Sequence, residues 1–129
     1  MSLVRSDVAY EVIGAAIEVH RELGPGLFEH VYHQCLEYEL RKRGVAAATQ
    51  VPLPLMYDGH RLGCVYRADF VVADQVLVEL KSLDRVLPIH EAQVLTYLRL
   101  SPFRQALLIN FNVRLLKEGI KSFIRKEHT

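Results

Sequence analysis

Cysteine is nearly missing from this sequence. Cys35 and Cys64 are the only two in 129 residues, too few and too scattered for a disulfide framework or a zinc knuckle, so both read as reduced packing residues. Long hydrophobic runs are missing as well. The opening stretch MSLVRSDVAYEVIGAAIEVH is interrupted by Arg5, Asp7, Glu11 and Glu18, which argues against a signal-peptide core. No other segment is apolar over the length a bilayer requires. Cytoplasmic residence away from membranes is the expectation. No sign of charge predominates: 16 Lys and Arg stand against 15 Asp and Glu, for a net charge of +1. That balance argues against a non-specific nucleic-acid coat. The glycines at 24 and 26 lack the Lys-Ser/Thr that completes a phosphate loop, and His30 and His33 do not form an HExxH pattern. No repeat, low-complexity segment, long linker or nucleophile triad is visible.

What is present has the profile of one globular domain, spanning 1–129, with 50% hydrophobic and 24% charged residues. Charge is uneven along it. Residues 1–40 hold two Lys/Arg against seven Asp/Glu, whereas residues 99–129 hold seven against two. The basic end suits either a phosphate backbone or a solvated face. Val8, Val12, Ala16, Ile17, Val19 and Leu23 recur at helical spacing, with Ser6 or Asp7 as the cap. LGPG (23–26) breaks that helix. A second is expected from about Leu27, with Phe28, Val31, Tyr32, Cys35 and Leu36 as its apolar stripe and Gly44 as its stop. Joined by so short a loop, the two should pack antiparallel.

VPLPLMY (51–57) reads as an edge strand because Pro52 and Pro54 cannot donate to a ladder. DGHRLG (58–63) reads as a turn. Pro88 opens a helix to about Leu100, with Val94, Leu95 and Leu98 as its core face. QALLINF (105–111) is a strand covered on both faces, and a turn at Gly119 leads to a last strand. The order is helix, helix, three strands, helix, strand, strand: a mixed sheet with helices packed on it.

Within this frame YRADFVVADQVLVELKS (66–82) is anomalous. It reads as a hairpin of two inner strands, yet it carries Asp69, Glu79 and Lys81. Residues two apart in a strand share a face, so Glu79 and Lys81 point together and Asp69 shares a face with Arg67 and Val71. If only Asp74 and Gln75 form the loop, Asp69 lies opposite Leu80 and away from Glu79. An odd loop, or a bulge, brings Asp69 beside Glu79 or Lys81. An exposed Glu79–Lys81 salt bridge is the plain alternative. Against it, a free charge between apolar inner strands is costly. Two carboxylates meeting there call for a hard cation such as magnesium or manganese. Gln93 and Tyr97 share a helical face with His90, a polar stripe able to overlook the hairpin.

RADF…VELK, an Asp followed ten residues later by Glu-x-Lys on the next strand, resembles the PD-(D/E)XK nuclease superfamily. GLFEHVY (26–32) matches the Gly-x-x-Glu-x-x-Tyr hallmark of the small GxxExxY proteins, a branch of it. QVLTY (93–97) resembles the Gln-x-x-x-Tyr motif of RecB-like nucleases, and LLINFNV (107–113) and GIKSFI (119–124) resemble the end of the GxxExxY proteins. The similarity runs from about residue 7 to 125. It implies a restriction-endonuclease-like α/β fold, a mixed sheet flanked by helices. It also implies that Asp69, Glu79 and the backbone carbonyl of Leu80 bind a divalent metal, Mg2+ or Mn2+. Lys81 would orient the attacking water, Glu29 would approach from the second helix, Gln93 would position phosphate or water, and Tyr97 would support it. Tyr32 packs rather than reacts. The implied activity is metal-dependent hydrolysis of phosphodiester bonds in DNA, by a single chain or a homodimer. The other reading is a nucleic-acid-binding or regulatory module that keeps the fold but cuts little.

Overall fold

A computed structural model describes residues 7–125. Arg5 and the expected cap Ser6 lie outside the described residues, as does the Cys64 side chain. Helix α1 (Asp7–Leu23) buries Val12, Ala15, Ala16 and Val19. It stops where Gly24, at φ 69°, returns its N–H to the His20 carbonyl at 2.7 Å, a termination that suits glycine because it needs the left-handed region. Helix α2 (Glu29–Lys42) starts two residues later than its apolar pattern suggests. Tyr32, Leu36 and Leu40 are buried on it, but Phe28, expected in the same stripe, stands before the helix and is 77% exposed. Arg43, after the end of α2, reaches Glu11 at 3.7 Å and the Gly14 carbonyl at 3.4 Å, so the helices run antiparallel.

The strands are β1 (Ala47–Tyr57), β2 (His60–Val72), β3 (Val76–Lys81), β4 (Gln105–Asn110) and β5 (Ile120–Ile124), with helix α3 (Pro88–Leu100) between β3 and β4. They form one sheet in chain order. All neighbours are antiparallel except β3 and β4, which run parallel. The prolines of β1 do sit on an edge strand. The turn into β2 is only Asp58–Gly59, shorter than the six residues its composition suggested. Both take positive φ, the twist-matched geometry of a two-residue hairpin. Inner strands β3 and β4 are buried almost throughout.

Helices α1 and α2 cover one face, packing Ala16, Leu36 and Leu40 on Phe70, Val72, Val78, Leu80 and Ile109. Helix α3 covers the other, with Val94 and Leu98 on Val71, Leu77, Ala106 and Leu108. Leu95, expected in the core, is 45% exposed. Glu79 and Lys81 alternate with Val78 and Leu80 and so belong to the α3 side. Strands β1 and β2 do not alternate regularly. Ala47 packs with the α1–α2 face, while Val51 and Leu53 pack with the α3 face. Phe70 and Val72 pack with the first face, yet Ala68 and Tyr66 pack with the second. Both strands therefore exchange faces at Gln50 and Asp69. Gln50 has φ 50°, and neither residue belongs to a ladder pair. Backbone irregularities of this kind re-aim a side chain.

A 3-10 turn (Leu116–Gly119) leads into β5. A Cβ at Gly119 would fall 2.1 Å from the Asn110 carbonyl oxygen and 3.1 Å from Val113. Gly119→Ala is expected to destabilise the fold by about 1–3 kcal/mol, an overpacking penalty. Gly63→Ala, where nothing lies within 4 Å, should stay within about 0.5 kcal/mol of wild type. Denaturant midpoints of the two variants check the contrast.

Candidate active site

The hairpin between β2 and β3 turns through three residues, Ala73, Asp74 and Gln75, the first two at φ 50° and 59°. Three is odd, and the register is Val72 with Val76, Val71 with Leu77, and Phe70 with Val78. The next position sets Asp69 against Glu79. There the ladder stops and side chains take over. The Asp69 N–H donates to Glu79 Oε1 at 2.9 Å, and the Leu80 N–H donates to Asp69 Oδ2 at 2.8 Å. Each carboxylate thus caps the opposite strand's backbone where the two strands part. One oxygen of each is left over from this exchange. The Leu80 carbonyl lies on the same edge of β3 as its N–H, facing that gap.

Burial is severe. Glu79 is 7% exposed, and its carboxyl is pushed up to about 8, first by burial and then by the Asp69 charge. Burial also raises Asp69, against the opposing pull of the Leu80 N–H and of the His33 and Lys81 charges. The Lys81 ammonium offsets part of the negative charge on both carboxyls. Arg67, which an unbroken strand would hold beside Asp69, is exposed and not among the charges acting on it. The exchange of faces at Asp69 separates them.

Glu29 is the first residue of α2, and its charge acts on Glu79. As a residue it is exposed, yet its carboxyl is raised by burial and then by the Asp69 charge, with Lys81 and His33 opposing. The preceding loop is tied down at three backbone groups. The Tyr32 hydroxyl donates to the Gly24 carbonyl at 2.6 Å and accepts the Leu27 N–H at 3.2 Å. The Ser82 hydroxyl, one residue past β3, donates to the Leu27 carbonyl at 2.5 Å. The Tyr32 ring is fully buried and stacks on Phe111 with centroids 4.5 Å apart. The tyrosine of Gly-x-x-Glu-x-x-Tyr therefore packs, as expected, and also holds the loop that delivers the glutamate.

Two residues at the cluster have no assignment from the sequence. His33 stacks on Phe70 with centroids 4.3 Å apart, and its Nε2 lies 3.3 Å from the Asp69 carbonyl oxygen, which has no ladder partner. Its spacing of four from Glu29 was the available signal. Asn110, at the end of β4, accepts the Leu83 N–H at 3.0 Å and donates to the Leu83 carbonyl at 2.9 Å, fixing the chain just beyond Lys81. Nothing in sequence marked it or Ser82, because those bonds join segments 27 and 55 residues apart.

From α3, Tyr97 comes within the field of the carboxyls. Its hydroxyl is raised by burial and then by the Glu79 charge, and its ring meets Tyr66 at 5.0 Å. Gln93 is exposed one turn nearer the start of α3, the end that follows β3. His90, grouped with them by spacing, instead accepts the Leu87 N–H at 2.8 Å and caps the helix. Hard oxygen donors dominate the cluster. Among the described residues no three His, Cys, Asp or Glu side chains are arranged to cage a metal. Two carboxylates and a backbone carbonyl are the donor types a hard divalent cation takes, its other positions being left to water or substrate. The site is an open sheet end. A groove of about 480 Å³ lies elsewhere, beside Asp74, Phe103 and Arg104 at the far end of the sheet, and contains none of these groups.

The upward displacement of Glu79 links stability to pH. Its folded value lies above its ordinary 4.5, so the folded state holds the proton more tightly than the unfolded one. That stabilisation is complete below about pH 4.5 and is lost as pH rises towards about 8. In a chelating buffer, wild type should lose stability across this window. Glu79→Gln, which keeps an acceptor for the Asp69 N–H, should show a shallower loss. Urea midpoints measured through the window test it; parallel curves would show that Glu79 is not strained.

No curated protein and no solved structure matches the chain. A family model described as the PD-(D/E)XK nuclease superfamily matches residues 6–123, a span that takes in both carboxyls and Lys81 and reaches into every strand of the sheet. The chain belongs to the PD-(D/E)XK nuclease superfamily.

Proposed function

We propose that the protein is a metal-dependent phosphodiesterase that cleaves DNA, that residues 1–129 form one catalytic domain, and that it belongs to the GxxExxY branch. The observation that carries this reading is the carboxylate exchange between Asp69 and Glu79. It keeps two acids beside a lysine at an interior strand end, where an ion pair alone would not justify the burial. Asp69, Glu79 and the Leu80 carbonyl would hold Mg2+ or Mn2+. When bound, the cation supplies Lewis acidity towards a phosphoryl oxygen and makes a bound water more acidic.

The chain's own residues have distinct parts in this scheme. Lys81 donates to the attacking water and balances charge at the phosphate. Glu29 accepts a hydrogen bond from that water and orients it. Gln93 donates its amide N–H to a phosphate oxygen, and Tyr97 supports that side of the cleft. Gly26, at φ 99°, and Tyr32 shape and hold the loop in front of Glu29, which gives physical content to the spacing of the GxxExxY motif.

Purified protein should cut at least one of single-stranded, duplex and branched DNA or RNA in Mg2+ or Mn2+ and none in chelator. Lys81→Met should lower the rate by about a hundredfold or more while leaving nucleic-acid affinity almost intact. Asp69→Asn and Glu79→Gln should lose cleavage together with the rise in melting temperature that the cation gives wild type. Gln93→Ala should impair cleavage less than any of these. Wild type that binds nucleic acid but cuts none of the four would make the protein a binding module and Lys81 a structural residue.

A further inference from the structure

Phe28 is the most exposed large hydrophobic side chain among the described residues, at 77%, and it immediately precedes Glu29. Phe28 occupies the N-cap position of α2, where a short polar side chain usually bonds back to the first turn. This one does not. Its backbone is extended, at φ −70° and ψ 152°, and its ring lies against His30, centroids 6.0 Å apart and planes within 14° of parallel. The position is not slack. Gly24, Leu27 and Ser82 are joined through the Tyr32 and Ser82 hydroxyls on the residues just before it, and α2 begins just after it. A flat pair of rings is thus held in solvent one residue from a carboxyl of the catalytic cluster.

The surrounding charge restricts what such a surface can receive. The charged residue in the first turn of α2 is Glu29, and the helix's basic residues, Arg41 and Lys42, lie in its last turn, so the end of α2 beside Phe28 offers no Lys or Arg of its own to a phosphate backbone. The face of a nucleobase is uncharged and stacks on aromatic rings whatever its sequence. In an intact duplex both faces of each base are already stacked, and an aromatic platform gains nothing there. Exposed Tyr10, Tyr38 and Tyr57 carry hydroxyls that water can satisfy, and none is a chain neighbour of Glu29, Asp69 or Glu79.

We propose that Phe28, backed by His30, stacks an unpaired nucleobase next to the phosphodiester held at Asp69 and Glu79, so that the substrate is single-stranded nucleic acid. This rests on the nuclease reading above and names its substrate class. With a chain of net charge +1, stacking supplies the grip that electrostatics does not.

The test uses full-length protein carrying Lys81→Met, so that the probe survives, with Mn2+ present. The probes are a labelled oligo-dT, a blunt duplex of equal length, and a single strand containing 2-aminopurine. Phe28→Ala should weaken oligo-dT binding by roughly tenfold or more, leave duplex binding within about twofold, and abolish the fluorescence quenching that stacking causes in the 2-aminopurine strand. Phe28→Trp should restore both affinity and quenching, and Tyr57→Ala should change neither. Unchanged melting curves establish that the variants fold. Equal losses on single strand and duplex, or no loss and no change in quenching, would overturn the platform while leaving the nuclease reading intact. If the parent protein binds no nucleic acid and wild type cuts none, the nuclease reading falls, and the platform with it.

Discussion

Everything at the candidate site depends on one exchange: the carboxylates of Asp69 and Glu79 substitute for ladder hydrogen bonds where β2 leaves β3. A strand end inside a sheet leaves N–H groups without partners, and burying them unpaired is costly. Here two acids accept them. The same bonds fix the acids in place, each carboxylate being held by the other strand's backbone. The arrangement is poised, because the bonds favour the ionised forms while burial, and for Glu79 the Asp69 charge, oppose them. A cation lying between the strands would resolve that conflict, which is why the strain is informative about function.

The remainder of the fold serves this pair at a distance. Strands β1 and β2 exchange faces at Gln50 and Asp69, and that twist turns Asp69 towards β3 instead of towards Arg67. His33 occupies the Asp69 carbonyl that the broken ladder leaves open. Asn110 clamps the chain after Lys81, and Ser82 ties the same segment to the loop in front of Glu29. Helix α2 is thereby locked to β3 across the site, and Tyr32 anchors the loop from within the core. Four elements converge through a few hydrogen bonds between segments far apart in sequence. Such long-range polar contacts hold a site more rigidly than the loops that carry it could alone.

Much of this was legible beforehand, for reasons particular to the residues. The helices showed through their apolar spacing, the edge strand through Pro52 and Pro54, and α3 through Pro88 and Pro102, because periodicity and proline act locally. The pairing of charges with apolar neighbours in VELK marked a site because buried charge needs a reason. Phe28 and Leu95 were misplaced, since a helical stripe can be continued by pattern past the point where the chain leaves the helix or the core runs out. His90 falls in line with Gln93 and Tyr97 by spacing but reads as a first-turn surface residue outside the site, and it caps the helix by accepting the Leu87 N–H.

Sequence alone determined the element order, the mixed sheet, the candidate acids and the lysine, all of which follow from interactions within a few residues or from which residue types tolerate burial. It left open whether Asp69 would meet Glu79 at all, because that turned on one residue more or less in a loop of Ala73, Asp74 and Gln75. Register is a property of two strands and a turn together, and a shift of one residue sends every side chain to the other face. Tertiary structure decided that register, the exchange of faces at Gln50 and Asp69, and the ties from Tyr32, Ser82, His33 and Asn110. Each of these is settled by backbone groups seeking partners across the fold, and a partner remote in the chain leaves no periodic trace in its sequence.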